Sequence, residues 1–229
     1  MDLQGHYHRL HAEAMANVAT EGFSFDPEIT NPSDSRRGLT LLLRPGEELL
    51  AAFSAFIEAV YRVAPGQYYY PDSDIHVTLM PVISCYPGFR LQDLELPLYI
   101  ELIQQAMEGI KPIPLRFAGV FASPSCLMIK GFPQDGELEN GRNNLRAIFA
   151  SSTLEQSLDK RYRLVSAHCT VIRFQKPVQQ PEMVVDLLDT FQDRFFGAQR
   201  FDQVELVFND WYQRKQKVQI LETFPLRGK

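Results

Sequence analysis

Two short runs, Ile75-His76-Val77-Thr78-Leu79 and Ala167-His168-Cys169-Thr170-Val171, alternate apolar and polar side chains. Residues two apart on a β-strand project from the same face. In each run the imidazole and the hydroxyl therefore point one way and the apolar side chains the other. Such a strand must bury one face in a core and leave the other lined with hydrogen-bonding groups, which are costly to bury unpaired. Two of them demand a fold with a place where two polar strand faces are tolerated.

The surrounding pattern places the runs in equivalent settings. A helix over 47–63 has apolar residues at helical spacing and Glu47 and Glu48 in its first turn. A strand over 75–83 carries the first His-x-Thr, and a helix over 97–109 opens on Pro and closes on Gly. Strands follow over 113–120 and 127–130. The order then recurs: a helix over 140–158, a strand over 167–174 with the second His-x-Thr, a Pro-led helix over 181–195, and strands over 201–208 and 218–223. A short apolar strand over 39–43 precedes the first helix of this series. The expected fold is α+β and bilobal, two pseudo-symmetric lobes each with an antiparallel sheet and flanking helices, the motif strands facing a central groove. Residues 1–37, a helix over 3–19 followed by a turn-rich stretch, read as an N-terminal extension to a domain over 38–229.

The 229-residue chain is 45% hydrophobic and 22% charged with a net charge of −5, which excludes a disordered or fibrous chain. A protein that wraps a long nucleic acid duplex carries an excess of Lys and Arg, and this one does not. No stretch nears the roughly 20 apolar residues needed to span a bilayer, and the first residues lack a signal-peptide layout. Cys85, Cys126 and Cys169 are widely spaced with no CxxC, which points to a reducing compartment, not to a disulfide framework or a zinc site. A cytoplasmic protein, acting as a monomer away from membranes, is the expectation.

A lone strand histidine is ordinarily a hydrogen-bonded core residue. Two in matched positions call for another account. Histidine titrates nearest neutrality, so one copy can act as base while another acts as acid. Across a cleft, His76 and His168 could manage both proton transfers of an in-line phosphoryl displacement, while Thr78 and Thr170 donate hydrogen bonds to the non-bridging oxygens. The scheme needs no metal or other cofactor. Two histidines with Asp72 or Asp74 remain an alternative metal site.

The pair His76-Val77-Thr78-Leu79 and His168-Cys169-Thr170-Val171 resembles the double H-x-[ST]-x signature of the 2H phosphoesterase superfamily. That superfamily includes bacterial RNA 2′,5′-ligase-like proteins and cyclic nucleotide phosphodiesterases. The likeness covers about residues 38–224. It implies a bilobal α+β fold, with His76, Thr78, His168 and Thr170 lining a central groove. It also implies metal-free hydrolysis of 2′,3′-cyclic phosphates, or handling of 2′–5′ phosphodiesters; within that class the acidic charge balance favours a small nucleotide or RNA terminus over a long duplex. Ligase-like members often carry Arg three positions after the second motif threonine, where Arg173 stands. Strand parity places Arg173 opposite His168, so it reaches phosphate only if the strand bulges or ends. Tyr68, Tyr69 and Tyr70 before the first motif, and Tyr86 and Phe89 after it, are candidates for stacking a base. His6, His8 and His11 read as surface residues of the N-terminal helix. A rival function is a nucleotide- or RNA-end-binding module that keeps the groove without turnover; a third is a structural protein whose motifs are coincidental.

Overall fold

A computed structural model describes residues 2–228. Among them are helices α1 (Leu3–Glu21), α2 (Glu47–Val63), α3 (Leu96–Met107), α4 (Glu137–Ala150) and α5 (Pro181–Phe191). The strands are β1 (Arg37–Leu43), β2 (Tyr68–Tyr69), β3 (Val77–Tyr86), β4 (Ile113–Ser123), β5 (Cys126–Pro133), β6 (Cys169–Arg173), β7 (Phe195–Phe201), β8 (Gln203–Asp210) and β9 (Gln219–Pro225). No helix among the described residues is long and apolar enough to cross a membrane.

The strands form one antiparallel path, β7-β4-β5-β6-β3-β1-β8-β9, with β2 added alongside β6. Its middle link is thin, because β3 and β6 share a single registered pair, Val77 opposite Cys169. The sheet thus divides there into two four-stranded lobes. Helices α2 and α5 pack on β4 and β7, and α3 and α4 pack on the other lobe against β9 and β3. Leu39, Leu41, Leu43, Val77, Leu79, Cys169 and Val171 are fully buried in the core between sheet and helices. The alternation read from the motif strands is therefore the alternation that the core imposes.

The lobes are not the two halves of the sequence. Strands β4 and β5 follow the first motif yet lie beside β6, and β8 and β9 follow the second motif yet lie beside β1. Two elements also depart from the expected pattern. The helix expected over 140–158 stops at Ala150, where Ser151 and Ser152 bond back to the last carbonyls through their hydroxyls. The helix expected over 181–195 stops at Phe191, and Phe195–Phe201 is instead an edge strand on β4. Its apolar Phe195 and Phe196 prolong the helical spacing, which hides the boundary.

Helix α1 packs on the opposite face of β4 and β5 from α2 and α5. Its stripe Leu3, Tyr7, Leu10 meets Phe121, Met128 and Phe132. Tyr7, fully buried, donates its hydroxyl to the carbonyl of Gly131 at 3.0 Å and accepts from the amide of Ala167 at 2.9 Å. The N-terminal helix is thereby fixed to the residue that precedes His168.

Arg142 of α4 occupies the wedge where β3 and the approach to β6 splay apart. It is 1% exposed and donates to four carbonyls: Nε to Leu79 at 2.9 Å, Nη1 to Val165 at 3.2 Å, and Nη2 to Thr78 at 3.1 Å and Ser166 at 2.7 Å. Burial lowers its pKa to about 10, so it remains a cation at neutral pH. Arg142→Met would remove four hydrogen bonds to main-chain carbonyls, two of them buried, at a cost of roughly 3–5 kcal/mol. In a chain of this size that is a fall of about 10 °C in the thermal midpoint. Calorimetry of the purified variant checks this, and a shift of only a degree or two would contradict it.

Candidate active site

His76, Thr78, His168 and Thr170 line one groove of about 250 Å³, at the small end of the range for small-molecule sites. His76 lies one residue before β3 and His168 one before β6, so about the antiparallel Val77–Cys169 pair His76 falls across from Thr170 and His168 across from Thr78, with the two histidines diagonal on one face. Thr40 on β1 joins them on the same face. The hydroxyls of Thr40, Thr78 and Thr170 bond no other described residue, which leaves them free to donate to a ligand.

Each imidazole is oriented through Nδ1. The His76 Nδ1–H donates to the carbonyl of Asp74 at 2.7 Å. A carbonyl can only accept, so neutral His76 carries its proton on Nδ1 and keeps an unprotonated Nε2. The Asp74 carboxylate beneath it is buried and already accepts from Ser73 Oγ, from the Lys215 amide and from the Tyr68 hydroxyl. Asp72 is exposed. Among the described residues no group of three His, Cys, Asp or Glu stands together in a way that could hold a metal ion. His168 Nδ1 lies 3.1 Å from Ser166 Oγ, a partner that can donate or accept, and the ring meets Phe121 edge-on at 5.6 Å.

Burial depresses both histidines to a pKa of about 4. For His76 the bond to Asp74 works against the shift and Arg44 adds to it slightly. For His168 the nearby His76 adds to it, followed by Arg142. Both rings are therefore neutral in the empty groove near pH 7.

Arg173 is in the groove, and a bulge puts it there. Met128 pairs with Thr170 and Leu127 with Ile172, so Val171 has no partner on β5 and the alternation of β6 shifts by one. The guanidinium receives no charge-matched neighbour from the sheet. Instead Nη1 bonds Asp26 at 3.3 Å, Nε bonds the Tyr70 hydroxyl at 3.3 Å, and the group lies over the Tyr212 ring at 5.2 Å. Tyr70 also lines the groove, buried on the motif face.

Other candidates lie elsewhere. Tyr69 points to the opposite face of β2, bonds the Ala64 carbonyl at 2.7 Å and packs edge-on against Tyr61. Tyr86 bonds Glu155 at 2.9 Å and meets Phe89 at 5.4 Å, outside the groove lining. Both are held by contacts of their own, so the structure does not bring them to the site. Of the N-terminal histidines His8 is exposed, whereas His11 is half-buried and its Nδ1 accepts from the Ala122 amide of β4. Sequence reading missed Thr40, Ser157, Arg161, Tyr162, Asn209, Trp211, Tyr212 and Gln213, all in the groove lining. Most lie on irregular segments that carry no periodic signal. Tyr7 did carry one, since it continues the spacing of Leu3, Leu10 and Ala14 on α1.

No protein-family model matches the chain, and no curated protein does. Solved structures share its fold. TT0787 of Thermus thermophilus is 20% identical, covers 85% of this chain and 99% of its own length, and superposes with a TM-score of 0.59. LigT of E. coli, solved in complex with 3′-AMP, is 13% identical over 84% of this chain and 99% of that one, with a TM-score of 0.55. ATU0111 of Agrobacterium tumefaciens, described as a conserved protein of unknown function, is 13% identical over 94% and 98%, with a TM-score of 0.56. At these identities the likeness is one of fold, and it is the bilobal α+β fold expected from the motifs.

The pKa shifts give a signed expectation for stability. A histidine at about 4 in the fold and 6.5 unfolded contributes stability that is complete above 6.5 and lost as pH falls towards 4. The thermal midpoint should fall between pH 7 and pH 4.5, with each ring responsible for roughly 1–3 kcal/mol. In His76→Gln and His168→Gln the decline over that window should be visibly shallower; an unchanged slope in both would contradict the assignment.

Proposed function

We propose that this chain is a phosphoesterase of the 2H type, hydrolysing 2′,3′-cyclic phosphate or 2′–5′ phosphodiester bonds of small nucleotides or RNA ends without a metal ion. The observation that carries the reading is the convergence of both His-x-Thr pairs on one groove. Arg173, turned inward by the bulge, supports it as the cation for the phosphate. LigT, which shares the fold, is solved with 3′-AMP, a nucleotide of the expected product class.

The tautomer held by Asp74 supports His76 as the base. Its free Nε2 takes a proton from water as the water oxygen bonds to phosphorus. His168, charged by proton uptake with the anionic substrate, gives its proton to the ribose oxygen whose bond to phosphorus breaks. Before that transfer, Ser166 Oγ can accept from the Nδ1–H of the charged His168 ring. Thr78, Thr170 and Arg173 hold the non-bridging oxygens, where charge accumulates. The protein is further proposed to act as a monomer in the cytoplasm, with residues 1–37 as an extension to the 38–229 domain. That extension contributes Asp26, which positions Arg173.

The competing reading, a binding module without turnover, leaves the free Nε2 of His76 with no task. EDTA-treated protein offered the four 2′,3′-cyclic mononucleotides should turn them over, with a bell-shaped pH–rate profile. His76→Ala and His168→Ala should each lower kcat by about 10²–10⁴. Binding without turnover would favour the module, and activity lost to EDTA and restored by a divalent metal would refute the metal-free mechanism.

Nucleotide binding near pH 7 should also take up protons, because a bound phosphate favours charged histidines that are neutral without it. Calorimetric titration of 3′-AMP in buffers of different ionisation enthalpy measures this. Uptake should vanish in the His76→Ala, His168→Ala double variant.

A further inference from the structure

One wall of the groove is the turn that follows β8, and it is tied down at almost every residue. The Asp210 carboxylate, fully buried, accepts from the Arg214 amide at 2.9 Å and from Arg214 Nε at 2.6 Å. Arg214 Nη1 donates to the Ile29 carbonyl at 2.8 Å. The Tyr212 hydroxyl bonds Asp26, and Arg36 donates to it. Lys215 is held by its amide on Asp74.

Gln213 stands apart within this frame, though Asn209 Oδ1 and Arg214 Nη2 also lack hydrogen-bond partners. Its φ is 59°, the left-handed region that side chains beyond glycine disfavour. It is 5% exposed and lines the groove with the motif residues. Its Oε1 is buried without a hydrogen-bond partner, and its Nε2 bonds no other described residue. A strained backbone and an unpartnered amide are separate costs at one position. Glycine would remove the first and an apolar side chain the second, so no contact within the fold accounts for a glutamine there.

We propose that Gln213 reads the nucleobase, its amide making a paired donor and acceptor contact with the edge of an adenine. The inference rests on the groove being a nucleotide site. A primary amide carries one acceptor and donor hydrogens on one plane, and adenine presents N6–H beside N7 in the matching order. Tyr162 supplies the face on which the base lies. It is 70% exposed on the groove lip, and its ring meets no other ring among the described residues. Trp211 is not available for that task, because Arg36 and Arg161 lie over its ring at 5.2 and 5.3 Å.

The single tryptophan of the chain lines the groove, so its fluorescence reports binding without any turnover. The probes are 3′-AMP and purine riboside 3′-monophosphate, which lacks the N6 amine. The unsubstituted protein should bind 3′-AMP about ten-fold more tightly than the purine riboside nucleotide. In Gln213→Gly, where glycine accepts the backbone angle, the two should bind within about two-fold of each other. Gln213→Asn tolerates the same angle but retracts the amide by one methylene, and should behave like the glycine variant. An equal preference in the unsubstituted protein, or the same preference in both variants, overturns the proposal. Cyclic-phosphate turnover with no base preference would overturn it and leave the phosphoesterase reading standing. Selective binding with no turnover would do the reverse.

Discussion

Beyond their one shared pair, β3 and the approach to β6 diverge, and four backbone carbonyls face one another across a wedge. Arg142 fills it with a planar cation whose donors match acceptors on both sides. Its hydrogen-bond partners are backbone carbonyls, while Glu139 and Asp159 act on it from farther off. The fork geometry of a guanidinium is needed, since a lysine ammonium offers a single point of attachment. Everything in the groove depends on this join. It fixes Thr78 on one lobe relative to Ser166, and through Ser166 it fixes the partner of the His168 ring. Tyr7 reinforces the same stretch from the other face through Ala167.

The electrostatics follow from that packing. Two histidines neutral at physiological pH, three free hydroxyls, and Arg173 and Arg161 set against Asp159 make a site of modest positive charge in a chain of net charge −5. On the proposed function, anions would be selected by local geometry and not by a basic surface, and a bound phosphate would favour charge on the imidazoles, linking occupancy to readiness for proton transfer.

Much of this was legible in the chain. The His-x-Thr runs declared their own geometry because a strand has period two, and helix α2 matched its expected bounds because its apolar spacing and acidic first turn agreed. Arg173 marks the limit. Parity alone sent it to the core face, and only the unpaired Val171 reversed it; nothing in the residues around 171 signals a bulge. The exchange of β4–β5 and β8–β9 between lobes was equally hidden, since pairing partners are a long-range choice that local patterns do not encode. The turn carrying Gln213 was silent for a third reason. Its conformation is imposed by Asp210, Arg214 and the distant Asp26 and Ile29, not by its own propensity.

The exchange of hairpins between lobes has a consequence for how the chain comes into being. Strand β1 needs β8 on its outer edge, and β8 is made more than 150 residues later. Until then a growing chain carries Leu39–Leu43 as an apolar strand with one unsatisfied edge, a template for wrong pairing. The lobe that holds the first motif is thus completed only when the last strands leave the ribosome, although its motif strand is among the first translated. A nascent chain stopped short of β8 would hold both histidines and still lack the turn that closes the groove. Vectorial synthesis delivers both motif strands before the turn that encloses them.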